Sequence, residues 1–168
     1  MHPTPQPGFV KPTNEPGRHR VRAVLLTPEG NLLLMKRIRP GVEPYWVVIG
    51  GGVEDTDAGP LDALHREIRE EIAGSADIVR HLHTLESPGG GREDFYLAAI
   101  TNWNFTARTG PEFTRTDRGE YRLEQIPATP QAVAAINLKP NPIADVLRAE
   151  LDAGTLTADG HARHQAPR

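Results

Sequence analysis

Residues 50–74 read GGGVEDTDAGPLDALHREIREEIAG: a triple glycine closes an apolar run, and a segment of helical period follows. Pro60 suits a first helical turn, where its missing N–H removes nothing the helix needs, and Gly74 marks the expected end. Leu61, Leu64, Ile68 and Ile72 recur at three- and four-residue spacing and form one apolar edge. Glu67, Glu70 and Glu71 fall at i, i+3 and i+4, which places their carboxylates within an arc of roughly 100°. The chain must therefore bury one edge of this helix and display a row of acids beside it. Two such carboxylates about 6 Å apart repel by roughly 3 kcal/mol at an effective dielectric of about 20, so something should offset the charge.

Two readings are open from the helix alone. One is a solvated surface in which Arg66 pairs with Asp62 and Glu70 at i,i+4 spacing, each pair contributing a few tenths of a kcal/mol. The other is a divalent cation, because clustered carboxylates are the hard oxygen ligands that magnesium takes together with water and substrate phosphates. The glycines favour the second, since a strand, a glycine loop and a helix in succession let main-chain groups approach an ion or a phosphate.

The rest of the chain supplies the scaffold. RVRAVLL and NLLLMKRI are β-rich runs joined by TPEG, a turn composition, and YWVVI is a third strand that the glycines interrupt. IVRHLHTL, FYLAAI and GEYRLEQI predict further strands. NPIADVLRAELDAG predicts a second helix, with Asn141 as cap, Pro142 in the first turn, and Ile143, Val146, Leu147 and Leu151 on one face. Strands with helices packed on them make an α/β (α+β) layered domain. Residues 1–18 carry five prolines and little apolar content, and residues 152–168 are small and polar, so both ends are expected to be flexible around a domain spanning 19–151.

Bulk charge narrows the function classes. A net charge of -3 over 168 residues argues against a general nucleic-acid or membrane surface, which needs many cations facing phosphates. No cysteine is present, which rules out disulfides and thiolate metal sites within this sequence. No run is apolar enough to span a bilayer, and MHPTPQPGFVKPTNEPG lacks a signal peptide's apolar core, so a cytoplasmic protein is expected.

The glycine loop followed by REIREE resembles the signature of the Nudix hydrolases, in which a glycine, an acidic residue, an Arg-Glu pair and a Glu-Glu pair recur at set spacing. RVRAVLLTPEGNLLLMKR looks like the family's opening hairpin, YWVVIGGGVE like its strand into the signature, and NLKPNPI like a segment near the end of some members, so the resemblance covers roughly residues 19–150. It implies an α/β/α sandwich around a mixed sheet, and magnesium-dependent hydrolysis, with manganese as a substitute, of a diphosphate bond in a small nucleotide-type substrate. Glu70 and Glu71 would then be the main metal ligands, Glu67 a ligand or the base that takes the water's proton, Arg66 the residue that holds the carboxylates, and the Gly51 carbonyl a further ligand. Ungapped, the family's upstream acid falls on Ala58, whereas one inserted residue gives that role to Asp57, in support of the loop. Ala73 stands where the family has glycine after the Glu-Glu pair, and Ile49 where proline is common. These departures motivate a rival reading: a nucleotide-binding or regulatory protein of the same fold with weak or no turnover.

Other candidates have weaker signals. Arg37 and Arg39, with Lys36, end a strand and could meet substrate phosphates, as could Arg20 and Arg22 on another; each could equally be solvated. His81 and His83 alternate as metal ligands can, although histidines on the wet side of a strand are commoner. Trp46 and Trp103 suit a core or a pocket wall. Glu112 and Glu120 lie where relatives often place an additional metal-binding glutamate, and GEYRL before a strand favours Glu120. Nucleoside triphosphates, nucleotide sugars, ADP-ribose and dinucleoside polyphosphates all stay open as substrates, as does oligomeric state.

Overall fold

A computed structural model of the chain describes residues 18–109 and 119–158. Glu112 falls outside the described residues, as do both chain ends.

The continuous apolar runs of the opening hairpin reflect strands buried on both faces, where alternation between core and solvent is lost. In β1 (His19–Leu26), Val21, Ala23 and Leu25 point to one side of the sheet while Val24 and Leu26 point to the other. In β2 (Asn31–Arg39), Leu33 and Met35 join the first side and Leu32 and Leu34 the second. Helix α1 (Pro60–Ile72) covers the first side and α3 (Asn141–Ala153) the second, with short α2 (Pro130–Ala134) beside it. The result is the expected sandwich of helices around a mixed sheet.

Eight strands form the sheet among the described residues, in the order β5-β6-β1-β2-β3-β8, with β4 added on β1 and β7 on β2. The other strands are β3 (Val42–Val47), β4 (Ile49–Gly52), β5 (Ser75–Ser87), β6 (Gly91–Asn102), β7 (Glu120–Pro127) and β8 (Leu138–Lys139). β1 runs parallel to β6, and β3 parallel to β8; the remaining pairs are antiparallel. β1 and β2 pair only at Leu25↔Leu33 and Leu26↔Leu32, and then part. β4 takes up the edge of β1 through Arg20↔Gly52 to Ala23↔Ile49, while β3 takes up that of β2. Residues 47–51 thus bridge a split in the sheet, and that split opens the cleft described below.

Several sequence expectations need correction. The glycines do not end the third strand's neighbourhood: Ile49–Gly52 is itself a strand, held by β1. Helix α1 ends at Ile72, and Ala73 rather than Gly74 adopts the left-handed cap at φ 47°. Leu61, in the first turn of α1, is 45 % exposed although it shares the face of Leu64, Ile68 and Ile72, and Ala63 is buried with those three instead. Asn141 is the first residue of α3 and does not cap it: Pro140 stands at the cap, and the Asn141 side chain accepts from Lys139 Nζ at 2.8 Å. Helix α2 had no sequence signal long enough to register, although Thr129 caps it by accepting from Ala132 N–H. Packing also continues past the expected boundary at residue 151, since Leu156 and Thr157 are buried against the α3 side. No helix among the described residues is long and apolar enough to cross a membrane.

Candidate active site

Leu64, Ile68 and Ile72 are fully buried, which at about 1.5–3 kcal/mol per side chain fixes the rotation of α1. That rotation turns Glu67 and Glu71 into a cleft of about 330 Å³ between the two arms of the split sheet. Arg20 and Arg22 enter it from β1, Arg37 from β2 and Tyr121 from β7, over a floor that includes Gly50 and Gly51. Carboxylates and guanidiniums therefore face one another across one cavity.

The floor must be glycine. Gly50 has φ 154°, and a side chain there would run into the Val21 carbonyl, while one at Gly51 would occupy the space of the Glu67 carboxylate. This close approach lets Gly50 N–H donate to Glu71 Oε2 at 3.1 Å. Glu71 is thereby aimed at the floor.

Arg66 organises the acids. Its Nε and one terminal nitrogen donate to the two Asp57 oxygens, each at 2.9 Å, in the bidentate geometry that makes such pairs strong. The other terminal nitrogen donates to Glu67 at 3.1 Å and Glu70 at 3.2 Å, and a further bond reaches the Gly52 carbonyl at 3.0 Å. Asp57, then the Glu67 charge, raise the Arg66 pKa further above its ordinary value. The Arg66 hydrogen bond and the Glu54 backbone N–H hold Asp57 down at about 2. Asp62 does not pair with Arg66 as the solvated-helix reading had it; its carboxylate accepts from Ala58 N–H at 3.2 Å. Of the two registers, the structure places Asp57 on Arg66 and leaves Ala58 at the surface.

The cations differ in how far they are already engaged. Arg22 donates to Glu93 at 2.9 Å and to the Val48 and Gly50 carbonyls at 3.3 and 3.1 Å, so it braces the floor. Arg20 is pushed down to about 10, by burial first and by Arg22 second, and its Nε is buried without a hydrogen-bond partner among the described residues. Arg37 lies with its guanidinium carbon 3.7 Å from the centre of the Tyr121 ring. A second chamber of about 370 Å³ adjoins the cleft, sharing Arg20, Arg22, Val47 and Val48 and adding Phe95 and Pro140 as apolar wall.

Other candidates lie outside the cleft. Arg39 is exposed at the end of β2, and Glu120 is exposed at the start of β7, where it accepts from Arg122 Nε at 2.7 Å. Glu70 accepts from Arg66 at 3.2 Å and is not among the residues that line the cleft. Trp46 packs on the α3-side core with Lys36 Nζ 4.9 Å from the ring centre, and Trp103 on the α1-side core. His81 bonds to Thr84 and to Asp94, a buried carboxylate that no sequence pattern singled out. Tyr121 was equally silent, because its position opposite Arg37 depends on β2 pairing with β7.

Among the described residues no three acidic or imidazole side chains converge as a ready-made ligand shell. The donor set nevertheless fits a hard cation: Glu67 and Glu71 line the cleft as oxygen donors, and magnesium completes its octahedron with water and phosphate rather than with an all-protein cage.

Comparison with known proteins agrees with this architecture. The family model for the NUDIX domain matches residues 17–140. Similar solved structures include a NUDIX hydrolase from Nitrosomonas europaea, with 16 % identity, TM-score 0.62, and coverage of 83 % of this chain and 72 % of that one. A UDP-X diphosphatase has 17 % identity and TM-score 0.57, covering 86 % of this chain and 68 % of its own. The MutT NUDIX hydrolase from Burkholderia pseudomallei has 21 % identity and TM-score 0.51, covering 80 % of this chain and 97 % of its own. No curated protein matches the chain in sequence. With the family model spanning most of its length and the fold shared with these structures, the chain belongs to the Nudix hydrolase family.

Proposed function

We propose that the protein hydrolyses the diphosphate bond of a nucleoside-diphosphate-linked small molecule, with magnesium, or manganese in its place, held at the α1 carboxylates. The observation that carries this reading is the two-signed cleft, with Glu67, Glu71 and Gly51 on one side and Arg20, Arg22 and Arg37 on the other. A diphosphate needs both: hard oxygen donors for a cation at the reacting phosphorus, and guanidiniums for the outer oxygens.

The roles divide by geometry. Glu71, aimed by Gly50 N–H, and Glu67, pressed against Gly51, would be the ligands that reach the cleft, and Glu70 would add a carboxylate from beside Arg66. Held at these oxygens, magnesium would neutralise phosphate charge and make a water a better nucleophile. Glu67, which lines the cleft, would serve as a ligand or as the base that takes the proton of the attacking water. Arg66 holds the acids at fixed spacing, and Asp57 holds Arg66. Arg37 and Arg20 bind the outer phosphate oxygens, while Arg22 keeps the floor in place. The adjoining chamber, with apolar wall and cationic rim, accepts the rest of the substrate.

The test is release of phosphate or mononucleotide from a panel of nucleoside triphosphates, nucleotide sugars, ADP-ribose and dinucleoside polyphosphates. Turnover should require magnesium or manganese, and Glu71→Gln should lower it by about a hundredfold or more while leaving the fold intact. Full activity in excess chelator would remove the metal reading. Binding without release across the panel would instead support the regulatory reading that Ala58 and Ala73 invite.

A further inference from the structure

We infer that Tyr121 is a positioning residue that holds the Arg37 guanidinium over the cleft, so that the phosphate-binding cation is ordered before substrate arrives. The inference rests on the phosphate role proposed for Arg37 and adds a residue on a different strand.

Three observations support it. Arg37 and Tyr121 are directly opposed in the antiparallel β2–β7 ladder, and strand alternation puts both on the α1 side, two residues beyond the Met35↔Leu123 pair. Leu123 and Tyr121 both pack on the α1-side core, so the ring stands on a supported base and not on a loop. The guanidinium carbon lies 3.7 Å from the ring centre, the distance of a stacked cation on an aromatic face, and both side chains line the cleft that holds Glu67 and Glu71.

The chemistry explains why such support matters here. A free arginine side chain carries large rotamer entropy, which it must lose to meet a phosphate in bidentate geometry. Stacking on Tyr121 fixes the plane of the guanidinium, and with it the plane in which its N–H groups meet a phosphate. The ring face supplies this hold, not the phenol hydroxyl. Phenylalanine should therefore replace tyrosine, and leucine should not.

The experiment measures binding of imidodiphosphate, a diphosphate whose bridging atom resists hydrolysis, by calorimetry in the presence of magnesium. Circular dichroism and melting temperature first establish that each variant is folded. Tyr121→Leu should weaken binding about five- to tenfold, Tyr121→Phe should stay within about twofold of the parent, and Arg37→Ala should weaken it at least as much as Tyr121→Leu. In the Arg37→Ala background, Tyr121→Leu should add less than about a twofold further loss, because the residue it positions is gone. In turnover, Tyr121→Leu should raise KM more than it lowers kcat. Parental binding by Tyr121→Leu, equal losses in the Phe and Leu variants, or an undiminished loss in the Arg37→Ala background would each overturn the inference, as would a parent that does not bind the probe. A parent that binds with this dependence on Tyr121 but releases nothing from nucleotides would overturn the hydrolase reading and leave the positioning role standing.

Discussion

Two charged clusters lie on the α1 side of the sheet, and they are built with opposite signs. In the first, one cation, Arg66, sits among Asp57, Glu67, Glu70 and the more distant Glu54. In the second, one anion, Asp94, 1 % exposed on β6, sits among His19 at 2.7 Å, Arg92 at 2.8 Å, His81 at 3.0 Å and Thr84 at 2.5 Å. Every oxygen of Asp94 is engaged by donors from β1, β5 and β6, so this cluster is complete and ties three strands together. The Arg66 cluster has more negative charge than its single arginine can balance, and it borders an open cleft. A closed cluster stabilises the fold; an open one of surplus sign costs stability until a ligand arrives.

The largest effect that separates them is on stability. Asp94→Ala removes the acceptor of two imidazoles, a guanidinium and a hydroxyl in a buried place, and should destabilise the protein by about 3 kcal/mol, read by urea denaturation. Turnover per folded molecule should stay within the parent's order of magnitude, since Asp94 lies outside the cleft lining. Glu70→Gln should do the reverse, leaving the metal-free protein as stable or a few tenths of a kcal/mol more so, because a like-charge contact is relieved. A loss of more than about 2 kcal/mol in Glu70→Gln would mean that its cluster, too, is closed.

Magnesium should sharpen the same contrast by a smaller amount. A ligand that binds only the folded state at ten times its Kd stabilises by about 1.4 kcal/mol. Thermal unfolding with and without magnesium should show that gain in the parent and equally in Asp94→Asn, whereas Glu71→Gln should lose most of it. Equal shifts in all three would place the ion elsewhere.

The two clusters also differ in how far the sequence reveals them. Glu67, Glu70 and Glu71 lie within one helix, where the 3.6-residue period fixes which side chains are neighbours, and Leu64, Ile68 and Ile72 fix which way they face. Asp94 meets its partners only through strand pairing: His19 lies opposite Arg92 in the parallel β1–β6 pair, and Thr84 opposite Asp94 in β5–β6. Nothing in a stretch such as GREDF predicts that its aspartate will be buried. For the same reason Arg22 and Arg37 were legible as strand cations but not their engagement with Val48, Gly50 and Tyr121. Boundaries were less legible again. A glycine stands next to the position that needs a left-handed cap, yet the chain puts Ala73 there, closing α1 through Ala73 N–H on the Arg69 carbonyl at 2.9 Å and Gly74 N–H on that of Ile68 at 3.4 Å.

Acid should break the comparison last and least at Asp57. Its carboxyl is held down at about 2 against an ordinary 3.8, by the Arg66 hydrogen bond first and the Glu54 N–H second. Burial alone would push the Asp94 carboxyl up, but Arg92, Thr84, His19 and His81 hold it well below the usual carboxylate range. A carboxyl with a depressed folded value stabilises the protein fully above its unfolded value, and that contribution is lost as the pH falls through the folded value. Both groups should thus make the parent progressively easier to unfold below pH 3.8, with Asp57's share disappearing toward pH 2. Asp57 is held by Arg66 and the Glu54 N–H where Asp94 is held by four side chains, and its carboxyl is depressed less, so its share is the smaller one. Urea midpoints between pH 5 and 2 should fall for the parent, fall slightly less steeply for Asp57→Asn, and flatten most for Asp94→Asn. A steeper acid loss in Asp57→Asn than in the parent would reverse the sign and show that the Asp57 carboxylate is not held by Arg66 in solution.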